Sequence, residues 1–247
     1  MSSLRVATWN LDGYNKSAAH RLPGQIDVLK ALQADVLVLT EVRDTTELEG
    51  MKVWWSDEGA SPYTSSDRAV CVASRWPGRP LNVTDSRLCV CVELEVPAPV
   101  SKVIVYGTVI PYKFDGVAQG LASAWQRHAQ AVADVTADLG RLRELTATHG
   151  ARIVVAGDFN MNLDGTVWYG TNAHRRALTN GLTQAGLRCH TLEDIRATRG
   201  SHRAIVDHLW TSTDLQPAEP LHIWCDRKVP GRLSDHNGVA LRLKVGD

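Results

Sequence analysis

Along this chain short β-branched runs alternate with stretches whose apolar residues recur at helical spacing. Residues 4–9 read as a strand, residues 26–33 as a helix and residues 35–39 as a second strand. Five further runs, 51–55, 69–74, 81–84, 88–96 and 102–110, predict strands joined by turns, with Pro77-Gly78 and Pro97-Ala98-Pro99 as punctuation. The clearest helix follows: Leu121, Trp125, His128, Val132, Val135, Leu139, Leu142 and Leu145 recur every three or four residues. Polar residues fill the other positions, so this stripe faces the protein core, and Gly150 is its expected C-cap. A strand at 152–156, a helix at 173–185 and strands near 187–191, 205–211, 221–225 and 238–245 complete the pattern. There are no repeats and no Ser/Gly-rich linker. Many strands with few helices predict one domain over 1–247, of class α/β (α+β), with two sheets packed together and helices outside.

The chain's 247 residues suffice for a well-buried core. Lys plus Arg equals Asp plus Glu at 27 each, which argues against a nonspecific basic coat for nucleic acid. Any contact with a polyanion then runs through a local patch or a bound metal. The five cysteines are odd in number and lack metal-ligand spacing, so they read as core thiols, with Cys89 and Cys91 on one strand face. A strand begins almost at once after Met1, and no apolar run approaches ~20 residues. The expectation is a cytoplasmic protein with no membrane contact and no obligate protein partner.

Polar residues recur at the strand ends. The first strand closes on Asn10 and Asp12, the second on Glu41, and the strand after the long helix on Gly157-Asp158-Phe159-Asn160. Asp207 interrupts an otherwise apolar strand, and Ser234-Asp235-His236 precedes the last one. Strand ends are where chemistry gathers in α/β proteins. Taken singly, Asn10 and Asp12 suit a turn before Gly13, and Glu41 suits a solvated acid. Asp207 is costly to bury without a partner, and His236 offers one. Asp12, Glu41 and Asp235 are hard oxygen donors, which favour Mg²⁺ or Mn²⁺ over zinc. An Asp–His pair, a second Asp and the Asn160 amide add acid–base and hydrogen-bonding groups, a set suited to attack of water on a phosphoester.

These stretches, Thr8 to Gly13, Leu39 to Glu41, Gly157 to Asn160, Ile205 to Leu209 and Ser234 to His236, resemble in identity and order the endonuclease/exonuclease/phosphatase superfamily, with its deoxyribonuclease-I-like fold. The resemblance implies a four-layer sandwich of two mainly antiparallel, mixed sheets flanked by helices. It implies that Glu41 is the principal metal ligand, assisted by Asp12, with Asn10 and Asp235 as further candidates. Asp158 is similar to the residue that orients or deprotonates the attacking water, and Asn160 to the donor that steadies the pentacovalent phosphorus. His236, held by Asp207, matches the family's contact to the scissile phosphate.

One position departs from that pattern. Where the family usually places a His or Tyr at the end of its middle strand, this chain has Val109, with Thr108 and Tyr112 as possible substitutes. The resemblance therefore implies a metal-dependent phosphodiesterase, with a nuclease acting on DNA or RNA as the first reading. A phosphatase or phosphodiesterase for inositol-phosphate or sphingomyelin-type substrates is the alternative, and an inactive binding module stands behind both. Two acid-free loops favour nucleic acid: Arg196, Arg199, His202 and Arg203 before the Asp207 strand, and Arg227, Lys228 and Arg232 before Ser234. Arg199, Arg203, Arg232, Trp168 and Tyr112 are the candidate substrate contacts. Trp168-Tyr169 either stacks on a base or packs in the core, and alternation along 51–55 would bury one of Trp54 and Trp55 while leaving the other near solvent.

Overall fold

Two parallel strand pairs sit at the centre of the architecture, and each is joined by a helix on the outside of its sheet. The computed structural model describes residues 2–59, 67–98, 100–224 and 232–245; Cys225, Arg227 and Lys228 lie outside the described residues. The strands are β1 (Ser2–Asn10), β2 (Val36–Arg43), β3 (Lys52–Trp55), β4 (Asp67–Ser74), β5 (Gly78–Leu81), β6 (Cys89–Glu95), β7 (Lys102–Val109), β8 (Arg152–Asp158), β9 (Leu187–Cys189), β10 (Asp207–Ser212), β11 (Gln216–Pro217), β12 (His222–Trp224) and β13 (Gly238–Val245). The helices are α1 (Leu22–Leu32), α2 (Gln126–His149), α3 (Asn172–Gln184) and a single turn, α4 (Ile195–Thr198). A 3-10 segment over Lys16–Arg21 leads into α1.

The first sheet runs β11-β13-β1-β2-β4-β3, with β12 also on β13, and the second runs β5-β6-β7-β8-β10-β9. Among the described strands only β1–β2 and β7–β8 are parallel; their crossovers contain α1 and α2. Period-two alternation in the first sheet sorts its apolar residues between two cores. Val6, Val36, Val38, Val70 and Val72 join the large core shared with the second sheet. Ala7, Leu37, Leu39, Cys71 and Ala73 face the smaller core with Leu29 and Leu32 of α1. On β7, Gly107 faces Val38, Val70 and Val72 across the sandwich, while Tyr106 points the other way and donates to Asp138 of α2 at 2.7 Å. The layers are therefore helix, sheet, sheet, helix. Each fully buried Val or Leu contributes about 1.5–3 kcal/mol.

The long helix starts later than the apolar spacing predicts. Leu121 is 69% exposed in the turns before it, and α2 begins after Trp125, which has a left-handed φ of 67°. Its end agrees: Gly150, at φ 64°, donates its N–H to Thr146 O. The strand expected at 81–84 is instead β5 over Gly78–Leu81, because Thr84 is taken by the Asp138 carboxylate through both its N–H and its hydroxyl. Trp54 and Trp55 are both half-buried, one against the large core and the other against the core beneath α1. Cys71, Cys89, Cys91 and Cys189 are buried and unpaired, and burial pushes the Cys71 and Cys89 thiols up to about 12, as suits inert core groups. No helix among the described residues is long and apolar enough to cross a membrane.

Candidate active site

Topology alone brings the five clusters to one rim. The C-terminal ends of β1, β2 and β8 point the same way, and β10 and β13 start there because each runs antiparallel to a neighbour. Asp207 opens β10 directly opposite Asp158, the last residue of β8. Thr8 near the end of β1 pairs with Val239 at the start of β13, just after His236.

Asn10 links the two halves of the rim. It is fully buried, and its Nδ2 donates to Glu41 Oε1 and to Asp158 Oδ2, both at 3.1 Å. Its Oδ1 accepts the Asp12 N–H at 2.8 Å, so the amide organises carboxylates from three segments. Ser234 fastens the last segment to the first: its hydroxyl donates to Asn10 O at 2.6 Å and accepts the His236 N–H at 3.0 Å. Trp9 adds a third tie, its indole N–H reaching His236 O at 3.3 Å.

Asp158 is 1% exposed, and its two oxygens take the Asn160 backbone N–H at 2.8 Å and the Asn160 and Asn10 amides at 3.1 Å. Burial raises its carboxyl to about 7, with the His236 charge pulling the other way. Asp207 is fully buried. Its Oδ2 lies 2.7 Å from His236 Nδ1, and its Oδ1 has no hydrogen-bond partner among the described residues. Burial raises Asp207 as well. Burial opposes charge on His236, yet Asp207, Asp158 and Asp235 together hold that imidazole well above its usual pKa. One ligand atom each from Asp158, Asp207 and His236 falls within 4.8 Å of the others.

Glu41 and Asp12 form the neighbouring part of the rim. Burial raises both carboxyls, and Asp235 raises each further. Glu41 accepts the Asn10 amide through Oε1 at 3.1 Å and the Gly13 N–H through its backbone carbonyl at 2.9 Å. Asp12 pairs with Arg21 at 2.9 Å, a contact no sequence signal announced. Asp12, Glu41 and Asn160 have φ of 54°, 48° and 46°, half of the six described non-glycine residues in the left-handed region. Strain of this kind gathers where a site demands a particular geometry. Gly157 serves the same end: its φ is 137°, and a Cβ there would lie 1.9 Å from Thr108 O. Glu41 has no ion pair among the described residues, Asp12 and Asp235 pair with Arg21 and Arg203, and this set of carboxylate oxygens fits a hard divalent cation. Asn10, whose amide is occupied by protein groups, fits better as an organiser than as a ligand.

The structure separates the candidate substrate contacts. Arg203 reaches the rim, with Nη1 2.7 Å from Asp235 O and 3.2 Å from Asp235 Oδ2. Trp168 is 38% exposed and borders a cavity of about 250 Å³ together with Asn160, Arg203, Asp235 and His236. Arg199 is not a bare cation: Glu193, just upstream, holds it through two bonds of 2.9 and 2.7 Å. Arg232 is half-buried, and Tyr112 is 39% exposed. Val109 pairs in register with Asp158 and packs into the large core. Thr108 cannot replace the polar group missing there, because its buried hydroxyl meets Cys89 Sγ at 3.4 Å.

The fold and this rim define a class. The sequence model for the Endonuclease/Exonuclease/phosphatase family matches residues 7–236, and the chain belongs to that family. Its members are hydrolases acting on phosphoester bonds and are typically dependent on a divalent metal. Among solved structures, the chain is similar to the endonuclease domain of TRAS1, a telomere-specific non-LTR retrotransposon (TM-score 0.64, 14% identity, 100% of both chains covered). It is similar to the human Nocturnin catalytic domain (0.66, 16%, covering 99% of this chain and 95% of that one) and to the AP endonuclease LMAP from Leishmania major (0.65, 14%, 99% and 88%). At such identities the likeness concerns the fold. No curated protein matches the sequence.

Proposed function

We propose that this chain is a divalent-metal-dependent phosphodiesterase that cleaves nucleic acid by in-line attack of water. One observation carries the reading: Asn10 ties Glu41 to Asp158, and the Asp207–His236 pair stands beside them on the same rim. Mg²⁺ or Mn²⁺ held by Glu41, with Asp12 and Asp235, would polarise a phosphoryl oxygen and neutralise developing charge.

The chain's own groups supply the rest. Asp158, with its carboxyl near 7, is matched to taking a proton from water at neutral pH. Asn160 Nδ2 spends its two hydrogens on Asp158 and Ile110 O, and it would donate to a phosphoryl oxygen beside that water by exchanging its Asp158 bond for one to substrate. His236, kept protonated and oriented by Asp207, donates to the scissile phosphate through Nε2. Arg203, which shares one bond with Asp235 Oδ2 at the rim, and Arg232 are the arginines that would follow a phosphate backbone, while Arg199 is held by two bonds to Glu193. Endonucleases among the structural neighbours support nucleic acid as substrate.

Incubation with plasmid, single-stranded DNA, RNA, bis-p-nitrophenyl phosphate and inositol phosphates, in Mg²⁺ or EDTA, tests this. Metal-dependent cleavage of a polynucleotide is expected. Cleavage of inositol phosphates alone would move the substrate to small phosphoesters, and no turnover with any of them in Mg²⁺ or Mn²⁺ would overturn the proposal.

A further inference from the structure

The cavity beside His236 has one wall that phosphate chemistry does not need. Trp168 and Tyr169 supply two aromatic rings there, Ala204 and Val206 an apolar floor, and Arg203 and Asp235 the polar rim. The Arg196 guanidinium lies over the Trp168 ring at 5.9 Å and is not among the residues that line the cavity.

The loop that carries these rings is built to hold still. Asn162 donates to Asp164 at 2.5 Å and to Thr166 at 2.9 and 3.0 Å, and its Oδ1 accepts the Tyr169 N–H at 2.8 Å. Arg175 of α3 clamps the loop from below through Asn162 O and Oδ1 and Tyr169 O. Tyr169 OH accepts the Lys113 N–H, and Trp125 packs on the Tyr169 ring at 5.7 Å. An indole that stays 38% exposed on so rigid a mount, over a cavity, loses little further entropy when it stacks on a ligand.

We infer that this cavity is a subsite for a single unpaired nucleobase, stacked on Trp168, whose nucleotide carries the phosphate at His236. The inference rests on the phosphodiesterase reading for its orientation but not for its measurement. At about 250 Å³ the cavity lies below the usual range of drug-sized pockets, so it takes one nucleoside and no paired segment. A base inside a duplex cannot reach such a wall without leaving its stack. The site therefore selects single-stranded, frayed or extruded nucleotides.

Calorimetric titration of the full chain in EDTA with AMP and with ribose 5-phosphate isolates the base. Wild type should bind AMP roughly 5- to 150-fold more tightly than ribose 5-phosphate, the range that base–aromatic stacking provides. Trp168→Ala should erase that preference, and Trp168→Phe, which keeps a stacking face, should restore most of it. Equal affinities for the two probes in wild type, or an unchanged preference in Trp168→Ala, would overturn the subsite. The two readings fail separately. Trp168-dependent AMP binding without hydrolysis of any phosphodiester would sink the proposed function alone, whereas hydrolysis of polynucleotides without any base preference would sink the subsite alone.

Discussion

Asp158 and Asp207 face each other as register partners across β8 and β10, two buried carboxylates with His236 bonded to one of them at 2.7 Å. Directly opposed residues on antiparallel strands project to the same side. Without a cation between them, two such acids would repel. The imidazolium fills that need and is in turn fixed by it. Asp207→Asn keeps a hydrogen-bond acceptor for Nδ1 but removes the charge. On the proposed mechanism turnover should drop about 10²–10⁴-fold, and the alkaline limb of the pH–rate profile should move to lower pH as the His236 pKa falls. Melting temperature should stay within a few degrees of wild type. A large loss of melting temperature with full activity per folded molecule would make Asp207 a structural acid only.

Metal removal gives the second prediction. Burial raises the Glu41 and Asp12 carboxyls, Asp235 raises both further and Asp12 adds to Glu41, so a divalent cation should relieve that repulsion and stabilise the fold by mass action. Wild type should melt higher in Mg²⁺ than in EDTA. Glu41→Gln should show little or no such difference, while its EDTA melting temperature equals or exceeds wild type because one buried charge is gone. An undiminished Mg²⁺ shift in Glu41→Gln would remove Glu41 from the cation site.

Much of this arrangement was legible in the sequence, and the reason is geometric. A strand end is marked by an apolar run meeting a polar residue, so Asn10, Glu41 and Asp158 stood out; Asp207 stood out instead as an acid inside an apolar run expected to be strand over 205–211, whereas the strand begins at Asp207 itself. Period-two alternation likewise gave the sheets and helical spacing gave α2. What escaped were long-range side-chain contacts with no local pattern. Arg21 on Asp12 spans nine residues through a 3-10 segment, and Glu193 neutralises Arg199 from just before the acid-free loop. Ser234 was visible only as part of a motif, although it ties the first strand to the last. Leu121 kept the helical spacing yet lies outside the helix, because apolar periodicity says nothing about the turns that end it.

Gly157 gives a stability prediction. A Cβ there would collide with Thr108 O at 1.9 Å, and the residue's φ of 137° strains any side chain. Neither backbone can yield without breaking the β7–β8 ladder beside Asp158. Gly157→Ala should lower stability by at least ~3 kcal/mol, or about 6–12 °C in melting temperature for a chain of this size. Gly150→Ala, also at positive φ but with nothing near its Cβ, should cost much less. Equal losses at the two positions would show that conformation, and not the collision, sets the penalty.

The last prediction concerns acid. His128 and His208 are fully buried, and burial lowers each from 6.5 to about 4. His128 is bonded through Nδ1 to Pro111 O, which anchors the start of the 111–125 segment to α2. Asp115 of this segment pairs with Arg127 and offers the imidazole no countercharge, while Lys113 lies in the same segment and the His174 ring, stacked on His128 at 4.8 Å, opposes its protonation further. Because the folded pKa is depressed, the unfolded chain binds the extra protons first as pH falls. Stability is then complete above about pH 6.5 and declines towards pH 4. Asp158, raised by burial, works in the opposite direction over 3.8 to about 7, so the slope of wild type alone mixes the two. His128→Asn separates them, since its amide can still donate to Pro111 O and cannot titrate. Its deficit in melting temperature relative to wild type should shrink steadily between pH 7 and pH 4.5; a deficit that stays constant or grows would mean that His128 already carries its proton in the folded state.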